Sequence, residues 1–178
     1  EDFDKKVIKN NHLITKGIEV GHIFYFGDKY SKPLNAFVDL QGGKKVAVKM
    51  GSYGIGVSRL VAAIIEAKFN NNVMKWPLSV APYETVIIPM IKKNDNSNLK
   101  KAENLYKELK KNNIDVLLDD SDESLSAKLK KFELMGIPYQ VIVGEKSKED
   151  LFEFKEIDKE SENLTIAKIV NKVISEKK

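Results

Sequence analysis

The sequence predicts an α+β segment over residues 1–81 joined to an α/β domain over residues 82–178, the second built on a mixed sheet flanked by helices. Three observations predict it. From Thr85 onward, β-like runs alternate with helical stretches, the pattern of strands covered by crossover helices. Before that point the chain carries several β-like runs, a turn sequence and one glycine-preceded helix. Between the two, Trp76-Pro77 and Ala81-Pro82 interrupt regular structure and mark the junction.

Each element has its own signal. Residues 1–16 are polar and irregular, as expected of a linker end. In Gly17 to Gly27, Ile18, Val20, His22, Phe24 and Phe26 share one parity, so a strand places them on one face. Leu34 to Leu40 and Lys45 to Met50 are further strands, separated by the hairpin turn Gln41-Gly42-Gly43-Lys44. Gly51 to Gly56 reads as a glycine-rich connection. Val57 to Phe69 reads as a helix, apolar nearly all round and therefore expected to be buried, with Asn70-Asn71-Asn72 ending it. Thr85 to Met90 is the first strand of the second domain. A helix follows with Leu99, Ala102, Leu105, Tyr106 and Leu109 at helical spacing. Asp115 to Leu118 is a strand. The next helix carries Leu125, Leu129 and Phe132 and stops at Gly136-Ile137-Pro138. Tyr139 to Val143 and Leu151 to Ile157 are strands, and Thr165 caps a last helix with the stripe Ile166, Ile169, Val170, Val173 and Ile174.

Composition narrows the chemistry. The chain has 178 residues with 42% hydrophobic and 31% charged side chains, enough to bury a core. It contains no cysteine, which removes disulfides, thiolate metal sites and thiol nucleophiles. The longest apolar run, Leu60 to Ile65, is far too short for a membrane span. Residues 1–81 hold 11 Lys and one Arg against 7 acids, while residues 82–178 hold 18 Lys against 19 acids. The first part therefore suits a polyanion, and the second must use local clusters for any RNA contact. Of 30 basic residues only Arg59 is arginine, and arginine alone offers a planar fork of donors that also stacks on rings.

Arg59 ends the run Met50-Gly51-Ser52-Tyr53-Gly54-Ile55-Gly56-Val57-Ser58-Arg59. Glycines there let a backbone pass close to a flat or charged ligand, with helix-start N–H groups facing it. A Walker loop is excluded because no Gly-Lys-Ser/Thr follows. A dinucleotide fingerprint fails because Arg59 stands where the third glycine belongs. A simple turn that needs glycines and a strand–glycine–helix element with a terminal arginine both remain open on spacing alone. For His22, an ordinary half-buried histidine competes with a polar group set in the apolar wall of Val20 and Phe24, a wall that suits a small ring with few handles.

Taken in order, Gly17-Ile18-Glu19-Val20-Gly21-His22-Ile23-Phe24, Lys29-Tyr30-Ser31, the run ending in Arg59, Trp76-Pro77-Leu78-Ser79-Val80-Ala81-Pro82, Leu117-Leu118-Asp119-Asp120 and Gly136-Ile137-Pro138 closely resemble bacterial-type prolyl-tRNA synthetases, a class II aminoacyl-tRNA synthetase family. The resemblance implies the end of an antiparallel-sheet catalytic domain, with motif 3 at about residues 46–69, followed by an α/β anticodon-binding domain. It implies an aminoacyl-tRNA ligase that uses ATP to make prolyl-adenylate and transfers proline to tRNA(Pro). ATP is a substrate accompanied by Mg²⁺, for which no ligand is identified. The whole enzyme is expected to be a cytoplasmic homodimer with no membrane association.

The resemblance also implies site residues. Arg59 packs against ATP and holds its phosphate end, with Gly51, Gly54 and Gly56 leaving room for the nucleotide. His22, Val20, Phe24 and Ser52 line the proline pocket, Ser52 by its size and a weak hydrogen bond. Asp120, Glu123 and Lys128 meet the anticodon. Here the chain departs from the family: Ser124 and Ser126 replace an expected arginine and glycine, which leaves part of the base readout in doubt and makes Lys128, Lys130 and Lys131 candidates for the RNA backbone. Motifs 1 and 2 do not appear, and the chain opens Glu1-Asp2-Phe3 rather than on Met. The expectation is a C-terminal portion, inactive in adenylation by itself. A non-catalytic RNA-binding paralogue with the same fold is the competing class.

Overall fold

The computed structural model describes residue 13 and residues 15–91, 95–145, 147 and 150–177. The expected irregular start, residues 1–16, lies almost wholly outside them. The chain divides into two compact units, Glu1–Ala63 and Ile64–Lys178.

The first unit is a pair of antiparallel ribbons. Strand β1 (Gly21–Gly27) pairs with β4 (Met50–Ile55), and β2 (Phe37–Asp39) pairs with β3 (Lys45–Ala47). The β2–β3 turn closes through Gly43 N–H to the Leu40 carbonyl at 3.0 Å, with Gly42 and Gly43 at φ of 94° and 76°. That left-handed backbone is where glycine is required. The glycine-rich run is not a free connection: Met50 to Ile55 is a strand, because β1 offers it a hydrogen-bonding edge, in register from Gly21 to Tyr25 and shifted at Gly27. Helix α1 (Val57–Lys68) follows. Its expected burial is not found. Only Ala63 is buried, while Leu60, Val61 and Ile65 are 37%, 49% and 40% exposed. The division between the units falls inside this helix.

The second unit begins with the end of α1 and a small hairpin that the sequence pattern did not signal, β5 (Phe69–Asn70) and β6 (Val73–Met74). Its turn is Asn71-Asn72, both at positive φ (49° and 62°), which asparagine tolerates better than other side chains. A 3₁₀ turn at Leu78–Val80 leads into the sheet. The elements are then β7 (Thr85–Pro89), α2 (Ser97–Lys111), β8 (Val116–Leu118), α3 (Leu125–Leu134), β9 (Tyr139–Val143), β10 (Leu151–Glu156), β11 (Glu162–Thr165) and α4 (Ile166–Glu176). Strand β11, like the hairpin, is additional to the sequence expectation. Thr165 stands at the N-cap of α4, but its side chain makes no capping hydrogen bond.

The sheet order is β11-β10-β9-β7-β8. Strand β7 is parallel to both neighbours, while β10 and β11 extend the sheet antiparallel. One face carries Ile87, Val116, Tyr139, Val141, Val143, Phe152 and Phe154 under α2 and α4. The other carries Val86 and Ile88 under α3, closed by Phe132 and Ile137. Strand β7 is buried along its whole length, as a central strand covered on both faces must be. Helix α3 is capped by the Ser124 hydroxyl, which accepts the Ala127 N–H, and ends at Gly136 with φ 70°.

Residues 73–84, read from sequence as the junction, are packed on this unit. The Trp76 indole N–H donates to the Met135 carbonyl at 3.0 Å, and the Trp76 backbone N–H donates to the Gly136 carbonyl at 3.0 Å. Leu78 packs against the larger core, and Lys75 pairs with Glu156. Among the described residues no helix is long and apolar enough to cross a membrane.

Candidate functional site

The β1/β4 register decides which side chains of the first unit share a surface. His22 lies opposite Gly54 and Phe24 opposite Ser52, and directly opposed residues point to the same side of a ribbon. That side therefore carries His22, Phe24, Ser52 and Gly54; Ile23, Tyr25, Tyr53 and Ile55 fall on the other. The His22 and Phe24 rings are stacked at 4.3 Å and 21°. The stack continues to Phe26 at 5.9 Å, and Tyr30 meets Phe26 edge-on at 5.1 Å. A Cβ added at Gly54 would meet nothing within 4 Å, so glycine there keeps this side open rather than relieving a clash.

At one end of the ribbon the segment before β1 brackets the start of α1. The Gly56 N–H donates to the Val20 carbonyl at 2.9 Å. Arg59 Nη1 donates to the Glu19 carbonyl at 3.1 Å. A Cβ at Gly56 would stand 3.2 Å from the Arg59 Cβ, so the glycine lets the arginine fold back. The Glu19 carboxylate lies 3.6 Å from His22 Nδ1. The structure thus gathers Arg59, Gly56, Val20 and His22 around Glu19, and sets His22, Phe24 and Ser52 on one surface with Gly54. Gly51 faces the opposite side, close to the Phe24 carbonyl. Glu19 is the residue that sequence reasoning passed over. Its hold on Arg59 is a backbone carbonyl, which leaves no trace in a side-chain pattern.

The second unit has a different kind of site. From β7 the chain goes to one side through α2 to β8, then crosses through α3 to β9 on the other side of β7. Such a reversal opens a crevice at the carboxyl ends of the strands. Those ends are Pro89, Leu118 and Val143. Asp120 is exposed there, just past β8. Asp119 is buried, and Ser121 N–H donates to its Oδ1 at 3.1 Å. Lys131 pairs with Asp119 Oδ2 at 3.1 Å and with Glu123 at 2.7 Å. Burial pushes the Asp119 carboxyl up, but hydrogen bonds from Ser121 and Lys131 outweigh it and hold it below the usual range. Glu123, then Asp119, hold the Lys131 ammonium above its ordinary value.

Lys128 departs from expectation. It is 1% exposed, and its ammonium donates to the Pro89 carbonyl at 3.4 Å and the Asp119 carbonyl at 3.2 Å. It clamps the ends of β7 and β8 from within and presents no free cation. Lys130 is exposed. On the β9 side the same edge opens into a cavity of about 540 Å³ bordered by Met90, Ile142, Ser147, Glu153 and Asn163. None of these was singled out from sequence, since they come from four separate segments that only the sheet order brings together. Asn98 donates to the Met90 carbonyl at 2.9 Å and Lys101 to the Ser147 carbonyl at 2.9 Å, so α2 steadies both rims. Among the described residues, no group of three or more His, Cys, Asp or Glu is placed to hold a metal ion.

Comparisons with known proteins agree with this fold. A family profile described as anticodon binding domain matches residues 84–176. The proline–tRNA ligase of Pelagibacter ubique is 62% identical over 99% of this chain and 40% of its own length. That of Parvibaculum lavamentivorans is 48% identical over 80% of this chain and 32% of its own length. The chain thus spans about two-fifths or less of these relatives. Among solved structures, prolyl-tRNA synthetase from Cryptosporidium parvum complexed with L-proline and AMP superposes with a TM-score of 0.79 at 22% identity, covering 88% of this chain and 33% of that one. The chain belongs to the anticodon binding domain family, with its nearly full-length likeness directed to proline–tRNA ligases.

Proposed function

We propose that this chain is the C-terminal part of a cytoplasmic proline–tRNA ligase, homodimeric as a whole, with the catalytic contribution in residues 1–81 and anticodon recognition in residues 82–178. The observation that carries the reading is the first unit's geometry: a side cleared by Gly54, bearing the His22–Phe24 stack and Ser52, ended by a guanidinium held on the Glu19 carbonyl.

In this reading proline lies against His22, Phe24, Val20 and Ser52, and ATP lies along Gly54 and Gly56 with Arg59 against its phosphate end; Gly51, expected from sequence to join them, faces the other side of the ribbon. The proline carboxylate attacks the α-phosphorus; a P–O bond forms to the carboxylate, and pyrophosphate leaves with the electrons of the broken bond. The terminal ribose hydroxyl of tRNA then attacks the acyl carbon and AMP departs. Such steps need alignment and charge neutralisation more than a protein base. Arg59 supplies a fixed positive fork where negative charge gathers. Mg²⁺ accompanies ATP as part of the substrate; the described residues offer it no ligand set, and no step is routed through it.

In the second unit, the crevice edge meets the anticodon. Carboxylates of Asp120 and Glu123 accept from guanine edges, and Lys128 positions their loop from beneath. Proline-dependent ATP–pyrophosphate exchange and tRNA(Pro) charging by the full-length protein test the reading. Exchange that responds to proline and disappears when Arg59 is replaced supports it; absence of proline-dependent exchange in the intact protein overturns it. The 178-residue chain alone is expected to show no exchange.

A further inference from the structure

We infer that Glu19 is a positioning residue that ties the two substrate subsites together, its carbonyl aiming Arg59 and its carboxylate orienting the ring of His22. The inference deepens the proline–tRNA ligase reading and rests on it. The backbone at residues 19–20 is held from two directions: Val20 accepts the Gly56 N–H at 2.9 Å, and Glu19 accepts Arg59 Nη1 at 3.1 Å. The guanidinium goes to the carbonyl and not to the Glu19 carboxylate, which leaves that carboxylate for His22, 3.6 Å from Nδ1. The imidazole plane is fixed independently by its stack on Phe24. A carboxylate on that side orients the ring, with Nδ1 toward Glu19 and Nε2 turned from it. Nε2 is then the ring nitrogen presented to a ligand. The ligand that fits beside it is a pyrrolidine, a small ring with few polar handles.

The test uses the full-length ligase with Glu19→Ala, Glu19→Gln, His22→Ala and the Glu19→Ala/His22→Ala double variant. Pyrophosphate exchange is measured against proline and against ATP. Glu19→Ala raises the KM for proline roughly three- to fivefold, the effect of losing one partly exposed charged contact. The KM for ATP stays within about twofold, since the carbonyl that holds Arg59 survives the substitution. Glu19→Gln, which keeps an oxygen in the same place beside Nδ1, returns the KM for proline to within about twofold of the parent. In the His22→Ala background Glu19→Ala adds nothing further. An unchanged KM for proline in Glu19→Ala, an equal rise in the KM for ATP, no recovery in Glu19→Gln, or a full-sized effect without His22 overturns the proposal. If His22→Ala itself leaves the KM for proline unchanged, the pocket reading falls, and the Glu19 role falls with it. A proline effect of His22→Ala without one from Glu19→Ala removes the Glu19 role alone.

Discussion

Arg59 and His22 are the side chains on which substrate use should depend most visibly, and their effects should separate. Replacing Arg59 by Lys keeps a positive charge but removes both the planar fork and the reach to the Glu19 carbonyl. The KM for ATP of the full-length enzyme should rise about tenfold or more, the scale of losing one charge-assisted hydrogen bond. His22→Ala should raise the KM for proline several times more than that for ATP, and equal changes would remove His22 from the pocket. A third prediction concerns acid stability. Burial pushes the Glu156 carboxyl up, but hydrogen bonds from Lys159 and Lys75 outweigh it and hold it below its ordinary 4.5. A carboxylate depressed in the folded state stabilises fully above its unfolded value and loses that contribution as the pH falls through the folded one. Urea unfolding from pH 7 down to pH 3 should therefore show a steeper loss below about pH 4.5 in the parent than in Glu156→Gln; parallel curves would show that the pair contributes nothing. Arg59 and His22 are singled out by the resemblance of the motifs that hold them, with rarity among 29 lysines and parity with Phe24 as supporting signs. Glu19 was not legible in the sequence, because its decisive atom belongs to the backbone. The burial of Lys128 was not either, because it depends on carbonyls at the ends of two strands that the sequence separates by some thirty residues.

At the scale of elements, Gly136 joins α3 to the hairpin. Its φ is 70°, and a Cβ there would come within 2.6 Å of Met74 Sδ, 3.0 Å of the Met74 carbonyl and 3.1 Å of the Trp76 ring. Gly136→Ala should destabilise the second unit by about 1–3 kcal/mol, combining left-handed strain with a contact on backbone that cannot move aside. A chemical-denaturation midpoint measures it, and an unchanged midpoint would mean the hairpin is not seated as described. The helices α2, α3 and α4 were legible because burying one stripe demands a 3.6-residue repeat. Strand β4 was hidden by its two glycines, which weaken a strand signal although a paired edge overrides it. Strands β5 and β6 hold two residues each, too few for any period to show. Helix α1 was read as buried from an apolar circumference, yet composition says only that a surface can be covered, and in this chain only Ala63 of that helix is.

For the molecule as a whole, the position of the prolines and the limits of the compact units differ by residues 64–81. Those residues contribute Trp76, Leu78 and Lys75 to the packing of the second unit. A domain produced as residues 64–178 should therefore be more stable than one produced as residues 82–178, by roughly 2–4 kcal/mol for a buried leucine, an indole bond and an ion pair. Equal stability would show that the segment is merely attached. The place of β7 in the middle of the sheet also has a consequence for synthesis. Its residues leave the ribosome first, yet the neighbour on one edge, β9, is made last of the three parallel strands. Until Val143 has emerged, a strand destined for complete burial waits with one edge unpaired. The nascent chain is thus most in need of shelter during the translation of α2 and α3, and release from that state comes in one step when β9 arrives.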